Sequence, residues 1–371
     1  MKKRLFTSIF TVVLILCTIF VFTACNDNNN GNDNADQLPA DHSSAITPKV
    51  VLFIGDGMGV NHTYNTELYT GEISYFSTFT TTTMVDTNSL DGTTDSAAAA
   101  TAMATGNKQY NGYLSIDKKT SANMVSITEL AKTNQYGAGV ITSDEITGAT
   151  PAGFSAHAKS RNNSAEILLS QENSPLDLLI GAGSYSSVYK TRFEEKGWTW
   201  VNNKDALTTE PKRFVATFSE VTPENGTNEK PTLTELASYA IDYMETNYPT
   251  GYFLMIEGAK IDKASHSNDI DAMIKNHVDF SNAVKTVDQK LSSKEGGYSI
   301  IVTADHETGG LQKAESKEAI SNDLYTSTGH TPANVKLYFK STVTTTPDIL
   351  NAQLIQNTEV FTLCKYLLSI A

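Results

Sequence analysis

The sequence predicts an α/β fold, a three-layer sandwich in which a mostly parallel central sheet is flanked by helices. Two observations carry this prediction. Short apolar runs bounded by Gly, Asp or Thr recur along the chain, as buried parallel strands do. Between them lie segments whose apolar residues recur at helical spacing. Strands that alternate with helices in this way are typical of an α/β sandwich.

The predicted strands are five apolar runs, at residues 50–54, 139–142, 178–180, 253–256 and 300–303. The clearest helix begins at Thr232, where Glu235 completes a capping box and one apolar stripe follows. A second stripe starts at Met124 and a third at Ile270. Residues 185–228 have weaker periodicity, which suggests a surface insertion whose function the sequence does not indicate.

Residues 92–107 combine a carboxylate and a hydroxyl with a long run of small side chains. Ala is the best helix former, so we expect a helix to start at or next to Ser96, directly after Asp95. The unpaired N–H groups and the helix dipole at such a start favour an anion. The Ser96 hydroxyl is therefore a candidate nucleophile toward phosphorus. The alternative is an ordinary helix start with a capping serine.

Potential metal ligands follow three of the predicted strands. Asp56 comes after the first run, Glu257 after the fourth, and Asp305 and His306 after the last. The other candidate ligands are Asp262, His266 and His330. Ligands of open parallel sheets bind beyond the carboxyl ends of the strands, so these residues can converge on one site. A mixed oxygen and imidazole set suits zinc and magnesium, whereas each residue alone is an ordinary polar loop residue.

Taken in order, these motifs resemble the alkaline phosphatase family of metal-dependent phosphomonoesterases. The matches extend from Val50 to about Ala371, nearly all of the chain after its N-terminal segment. They are GDGMG at 55–59, TDSAAAATA at 94–102, ATPA at 149–152, AHAKSR at 156–161, EGAKIDK at 257–263, TADH at 303–306 and GH at 329–330. The resemblance implies the fold predicted above and hydrolysis of phosphate esters.

By this resemblance, the chain would bind two zinc ions and one magnesium ion. The expected ligands of the first zinc are Asp262, His266 and His330. The second zinc, which would also bind the Ser96 oxygen, would be held by Asp56, Asp305 and His306. Because its expected ligands are all oxygen atoms, the third ion would be magnesium, held by Asp56, Thr150 and Glu257. Thr150 precedes Pro151, so it also fits a helix N-cap.

The resemblance also assigns roles around the substrate. Ser96 would be the nucleophile of a phosphoserine mechanism. Arg161 offers the planar, two-pronged donor that fits two phosphoryl oxygens, and Asp95 would orient it. Lys263 would add a second positive charge, directly or through water.

Two positions depart from the pattern of some relatives. Gly148 stands where some have a carboxylate or a histidine, two residues before Thr150. Thr308 stands where some have a second histidine, two residues after His306. Neither change removes an expected zinc ligand, but the identity of the third metal and the support of the first zinc depend on what replaces those groups.

The composition agrees with an exported enzyme of acidic character. The chain has 371 residues and a formal net charge of −13, which disfavours nucleic acid and anionic membrane surfaces as partners. It also provides no overall attraction for phosphate esters, so any capture must be local. Three cysteines make no disulfide framework, and Cys364 shares an apolar helical stripe typical of a core thiol.

The N-terminal segment predicts export. Residues 1–24 have a basic start and an apolar run, and they end before Cys25 as a bacterial lipoprotein signal does, with Phe22 in place of the usual Leu. Cys25 would carry the lipid that anchors the protein to the membrane at the cell envelope. An uncleaved membrane anchor is the alternative. Residues 25–48, rich in Asn and Asp, are predicted to be a disordered tether, followed by one catalytic domain at 49–371.

The sequence therefore predicts a phosphomonoesterase that acts on small phosphate monoesters. A phosphodiesterase or sulfatase of the same superfamily is the nearest alternative, although Ser96 with Arg161 favours monoesters. A surface lipoprotein that binds metal or phosphate without turnover is the non-enzymatic alternative, and a pure binder needs no nucleophile. Many relatives are dimers, and the sequence leaves a monomer and a homodimer both open.

Overall fold

A computed structural model describes residues 48–342 and 347–371, all of which belong to one compact unit. The strands are β1 (Lys49–Gly55), β2 (Thr81–Asp86), β3 (Gly137–Glu145), β4 (Leu178–Ala182), β5 (Trp198–Val201), β6 (Arg213–Phe218), β7 (Tyr252–Gly258), β8 (Tyr298–Thr303), β9 (Glu307–Thr308), β10 (His330–Thr331), β11 (Val335–Ser341) and β12 (Leu354–Gln356). The helices are α1 (Val60–Thr70), α2 (Ser96–Thr105), α3 (Ile127–Thr133), α4 (Ala149–Ser155), α5 (Ser164–Gln171), α6 (Ser187–Glu195), α7 (Leu233–Asn247), α8 (Lys260–His266), α9 (Ile270–Ser292) and α10 (Thr358–Leu367).

The predicted signal at 1–24, the lipidation site Cys25 and the tether, apart from Pro48, lie outside the described residues. Among the residues that the structure does describe, no helix combines the length and the apolar character that a membrane span requires.

Ten strands form a single sheet in the order β12-β2-β11-β8-β1-β7-β3-β4-β6-β5. The run from β8 to β5 is parallel throughout. On the other side, β11 is antiparallel to both β8 and β2, and β12 is parallel to β2. Strands β9 and β10 form a separate antiparallel pair. The prediction of a mostly parallel sheet flanked by helices is confirmed.

The centre of the sheet is buried on both faces. Every residue of β1, β7 and β8 is buried, which explains why these strands are continuous apolar runs in the sequence. Helix α7 begins with the predicted capping box of Thr232 and Glu235 and packs against α9. Cys364 is buried in α10, as expected of a core thiol.

Two predictions about the chain are corrected. Residues 185–228 are not a surface insertion, because β6 and β5 within them extend the sheet beyond β4. The weak periodicity of these residues follows from the short edge strand β5, whose two middle residues are only half-buried. The second apolar stripe does not begin at Met124, because Ser126 caps α3 and the helix starts at Ile127.

The register of the sheet aligns the carboxyl ends of its central strands. Ile54 lies beside Glu257 of β7 on one side and Thr303 of β8 on the other. Glu257 in turn lies between Ile54 of β1 and Thr142 of β3. The polar residues that follow these positions therefore emerge at one edge of the sheet.

Candidate active site and metal centre

A tight turn after β1 brings the ligand-bearing segments together. Gly57 has φ +72°, and a Cβ there would lie 2.9 Å from Cα of Asp262, so only glycine fits this close approach. The backbone N–H of Gly57 donates to Oδ1 of Asp305 at 3.0 Å. This turn therefore sits between the residues that follow β7 and those that follow β8, with Asp56 directly before it.

The first predicted ligand set converges. Nε2 of His266 lies 3.2 Å from Nε2 of His330, and these two atoms lie 3.3 and 3.7 Å from Oδ1 of Asp262. Burial raises the pKa of Asp262, but the hydrogen bond from His266 and the charge of His306 outweigh it and hold that pKa well below its usual range. The hydrogen bond to Asp262 in turn raises the pKa of His266 to about 9, so a cation that binds here must displace a proton.

The second predicted set also converges. Nε2 of His306 lies 3.1 Å from Oδ2 of Asp305 and 3.5 Å from Oδ1 of Asp56, and all three side chains are buried. Burial, followed by the charges of Asp305 and Asp262, raises the pKa of Asp56 well above its ordinary value. The ring of His306 stacks on that of His330 with centroids 3.5 Å apart, so the two sets are adjacent.

The three histidines share one arrangement of their ring nitrogens. Nδ1 of His266 lies 2.5 Å from the carbonyl of Thr328, and Nδ1 of His330 lies 2.9 Å from the carbonyl of Thr94. A carbonyl only accepts, so each Nδ1 donates. His306 directs its Nδ1 to the hydroxyl oxygen of Thr308 at 3.2 Å. All three Nε2 atoms face the ligand sets, the arrangement that metal-binding histidines adopt.

The third predicted set consists of oxygen atoms. The hydroxyl of Thr150 donates to Oδ2 of Asp56 at 3.4 Å, and the hydroxyl of Thr142 donates to Glu257. Burial and then the charge of Asp144 raise the pKa of Glu257 to about 8, against the hydrogen bonds from Thr142 and Thr150. Thr150 is not the N-cap of α4, which is Gly148, so the alternative role considered for it is wrong.

Ser96 is the first residue of α2, and Asp95 is its N-cap, accepting from the backbone N–H of Ala98 at 2.9 Å. The buried Oγ of Ser96 lies 3.2 Å from Nε2 of His306. Nη1 of Arg161 donates to Oδ2 of Asp95 at 3.0 Å, as expected of a residue that orients the guanidinium. The helix start and the hydroxyl therefore face the second ligand set, and the guanidinium is held by the residue directly before the hydroxyl.

The remaining predicted residue, Lys263, lies at the end of the first turn of α8 and is half-exposed. Its ammonium forms an ion pair with Asp144, which lies near the end of β3. The sequence analysis did not identify Asp144. The available signal was its position just after the predicted strand at 139–142, at the same sheet edge as the other ligands.

The residues fit the cations that the resemblance implies. Among the described residues, Oδ1 of Asp56 and Oδ2 of Asp305 are buried without a hydrogen-bond donor. Four buried carboxylates, those of Asp56, Glu257, Asp262 and Asp305, lie at one sheet edge. Such a cluster requires compensating positive charge. Ligand atoms about 2.0 Å from a tetrahedral zinc lie about 3.3 Å apart, close to the separations within both mixed sets.

Sequence comparison decides the family. The family profile described as alkaline phosphatase matches residues 48–177 and 189–362. The chain belongs to the alkaline phosphatase family. It is 31% identical over 292 aligned residues to Alkaline phosphatase 3 of Bacillus subtilis (strain 168), covering 70% of this chain and 61% of that protein. The chain thus spans about three fifths of the length of Alkaline phosphatase 3 and of Alkaline phosphatase 4 from the same Bacillus strain.

Solved alkaline phosphatases share the fold. The cold-active enzyme of a psychrophilic Shewanella species superposes with a TM-score of 0.75 at 23% identity, over 86% of this chain and 99% of that one. A variant of the alkaline phosphatase from the Antarctic bacterium TAB5, described with Mg bound in its M3 site, has a TM-score of 0.72 at 25% identity, over 88% of this chain and 99% of that one.

Both departures from the alkaline phosphatase pattern have a structural answer in this chain. Thr308 is buried and donates to Oδ1 of Asp262, so a hydroxyl supports the first ligand set. Gly148 has φ −54°, a conformation open to any residue, so it is not retained for backbone freedom. A Cβ at position 148 would instead lie 2.7 Å from Oδ2 of Asp144, which fills the adjacent space.

Proposed function

We propose that this protein hydrolyses phosphate monoesters to an alcohol and inorganic phosphate through a phosphoserine at Ser96. The observation that carries the proposal is the position of Ser96. Its Oγ lies at a helix start, 3.2 Å from Nε2 of His306, which belongs to the second ligand set. The family and the fold support phosphoryl hydrolase activity, and this hydroxyl gives that activity a nucleophile.

The reaction divides into two displacements at phosphorus. Ser96 loses its hydroxyl proton to solvent, Oγ forms a bond to phosphorus, and the bond from phosphorus to the ester oxygen breaks. The departing oxygen takes up a proton and leaves as the alcohol. Water then attacks the phosphoserine, the Oγ–phosphorus bond breaks, and Ser96 recovers its proton as phosphate leaves.

Two zinc ions and one magnesium ion are the proposed cofactors. The zinc ligands are Asp262, His266 and His330 for one ion, and Asp56, Asp305 and His306 for the other. Asp56, Thr150 and Glu257 form the proposed magnesium set, and the magnesium in the TAB5 variant supports this choice. When bound, the ions supply positive charge that stabilises the attacking and leaving oxygens.

Arg161 is the proposed basis of monoester selectivity. A monoester dianion has more negative charge on its non-bridging oxygens than a diester has. The guanidinium, held by Asp95 at 3.0 Å beside Ser96, can bind two of those oxygens at once. Because the chain has a net charge of −13, this local positive charge has to capture the substrate.

The deciding experiment compares three substrates on the purified full chain loaded with zinc and magnesium. We expect an aryl phosphate monoester to be hydrolysed much faster than the matching aryl phosphodiester or aryl sulfate. Chelation should abolish the activity, and zinc plus magnesium should restore it. A faster diester or sulfate reaction would assign the chain a different activity of the superfamily, and tight phosphate binding without turnover would favour a binding protein.

We also propose that the protein is exported and held at the cell envelope by lipid on Cys25. This proposal rests on the sequence of residues 1–25, with its basic start, apolar run and terminal cysteine. An envelope location would suit an enzyme that releases phosphate from esters outside the cytoplasm.

A further inference from the structure

Strand β3 carries an irregularity beside the proposed magnesium set. Its pairing with β4 aligns Ile141 with Ile180 and then Glu145 with Ala182, so β3 has extra residues between these two points. A bulge of this kind bends a strand and redirects the side chains within it. Here the redirected segment contains Asp144, and it lies directly after Thr142, which is paired in register with Glu257.

Hydrogen bonds connect this segment to the magnesium set. The backbone N–H of Asp144 donates to the hydroxyl oxygen of Thr142 at 2.8 Å, and that hydroxyl donates to Oε2 of Glu257. The bulge is therefore fixed to a proposed ligand by two consecutive hydrogen bonds. Asp144 cannot move away from the site without breaking one of them.

The side chain of Asp144 has a partner on each side. Oδ1 accepts a hydrogen bond from the ammonium of Lys263. Oδ2 lies in the space next to Gly148, where a Cβ would come within 2.7 Å of it. The carboxylate thus occupies the volume that a side chain at position 148 would need, and it forms an ion pair with Lys263.

We propose that Asp144 is the positioning carboxylate of the third-cation site, in place of a side chain at position 148. It fixes Lys263 beside the site and adds a negative charge just outside the ligands Asp56, Thr150 and Glu257. This inference rests on the proposed function for the identity of the cation. A carboxylate is therefore still present beside the third-cation site, but Asp144 supplies it and position 148 does not.

The test is a calorimetric titration of Mg²⁺ into the zinc-loaded full chain, which requires no turnover. We expect Asp144→Asn to weaken Mg²⁺ binding about tenfold or more, the effect typical of losing a group that supports metal ligands. Glu145→Gln is the matched control, because it removes the same charge from an exposed neighbour on the same strand. The control should bind Mg²⁺ as the wild type does.

A second measurement separates positioning from general destabilisation. Melting temperatures of the metal-free proteins should be the same for Asp144→Asn and Glu145→Gln. In kinetics, the effects of Asp144→Asn and Lys263→Ala should be non-additive, because the carboxylate acts through the ammonium. Asp144→Glu should recover part of the lost Mg²⁺ affinity.

Unchanged Mg²⁺ affinity in Asp144→Asn would overturn the inference while leaving the proposed hydrolysis intact. So would equal losses in Asp144→Asn and Glu145→Gln, or a wild type that binds no Mg²⁺. A wild type without monoesterase activity whose Mg²⁺ affinity still depends on Asp144 would contradict the proposed function and support the role of Asp144.

Discussion

The hydroxyl of Thr308 donates a hydrogen bond to Oδ1 of Asp262 at 2.5 Å. A hydroxyl has one proton, so Nδ1 of His306, 3.2 Å from the same oxygen, must be the donor in that second contact. One threonine thereby orients a carboxylate of the first ligand set and fixes the ring nitrogens of a histidine in the second. Nε2 of the same ring points toward Ser96, 3.2 Å from its Oγ.

Thr308→Val tests this arrangement, since it keeps the shape of the side chain and removes the hydroxyl. We expect zinc affinity to fall about tenfold or more, because both ligand sets lose an orienting contact. Competition with a fluorescent zinc chelator measures the change. Thr308→Ser retains the hydroxyl and is the control, and equal zinc affinity of the Val and Ser variants would contradict the bridging role.

Ser96→Ala should reduce turnover by about a thousandfold or more with little change in melting temperature, because it removes the nucleophile from a helix start that Asp95 still caps. Ser164→Ala is the matched control, because Ser164 is also the first residue of a helix but is exposed. Mass spectrometry of wild type quenched at acidic pH should locate phosphate on Ser96. Near-full activity of the alanine variant would exclude the covalent route.

Gly148→Asp should destabilise the fold by about 1–3 kcal/mol through overpacking, because its Cβ would lie 2.7 Å from Oδ2 of Asp144. Gly148→Ala makes the same close contact without adding a charge, so it separates crowding from repulsion between carboxylates. In an Asp144→Ala background the cost of Gly148→Asp should shrink. Thermal unfolding of the wild type, the three single variants and the double variant measures these costs. Additive losses for Gly148→Asp and Asp144→Ala would contradict the crowding of these two positions.

The ion pair of His157 and Glu129 predicts a pH window of stability. Burial lowers the pKa of His157, but hydrogen bonds to Glu129 and to the carbonyl of Ser115 outweigh it and raise that pKa above 6.5. Burial raises the pKa of Glu129, but hydrogen bonds from His157 and Ser126 lower it below 4.5. The His157 contribution is complete below pH 6.5 and is lost as the pH rises through the raised pKa. The Glu129 contribution is complete above pH 4.5 and is lost as the pH falls.

The pair therefore stabilises the fold fully between pH 4.5 and pH 6.5. Glu129→Gln keeps a capping-box side chain while removing the charge. The difference in melting temperature from the wild type should be largest near about pH 5.5 and shrink by about pH 9. Glu194→Gln, in an exposed pair on α6, should show no such window. A difference that does not vary with pH would assign the loss to packing.

Cys25 should carry lipid in protein extracted from membranes. A single acyl chain binds membranes only marginally, so stable anchoring requires more than one. Intact-mass analysis should find a heavier N-terminal peptide that begins at Cys25. Cys25→Ala should abolish this modification, whereas Cys17→Ala, within the segment that is removed, should not. A soluble mature chain with a different start would contradict the anchor and leave the catalytic proposal unchanged.

The sequence predicted the centre of the fold better than its edges. Strands β1, β7 and β8 are fully buried, so their apolar runs are unambiguous. In β5 and β2 the burial is mixed, and their sequences lack a clear period. The strands outside the central run depend on pairing with distant neighbours, such as β2 with β11, which no local pattern records.

The same contrast holds for the site. Residues that follow the central strands, such as Asp56 and Asp305, could be identified because the register of a parallel sheet determines where they emerge. Asp144 also follows a predicted strand, but its role depends on a bulge in β3 and on a contact with Lys263, which no local sequence pattern records. The partnership of Thr308 with Asp262 likewise depends on a contact across 46 residues of chain.

The strand order has a consequence for the timing of folding during synthesis. Strand β1 is among the first elements of the described chain to be made, yet both of its neighbours, β7 and β8, begin at residues 252 and 298. Its two edges therefore remain without their native partners until most of the chain has emerged from the ribosome. A chain released early, before residue 306, would contain Ser96 and Asp56 but could not assemble the second ligand set around them.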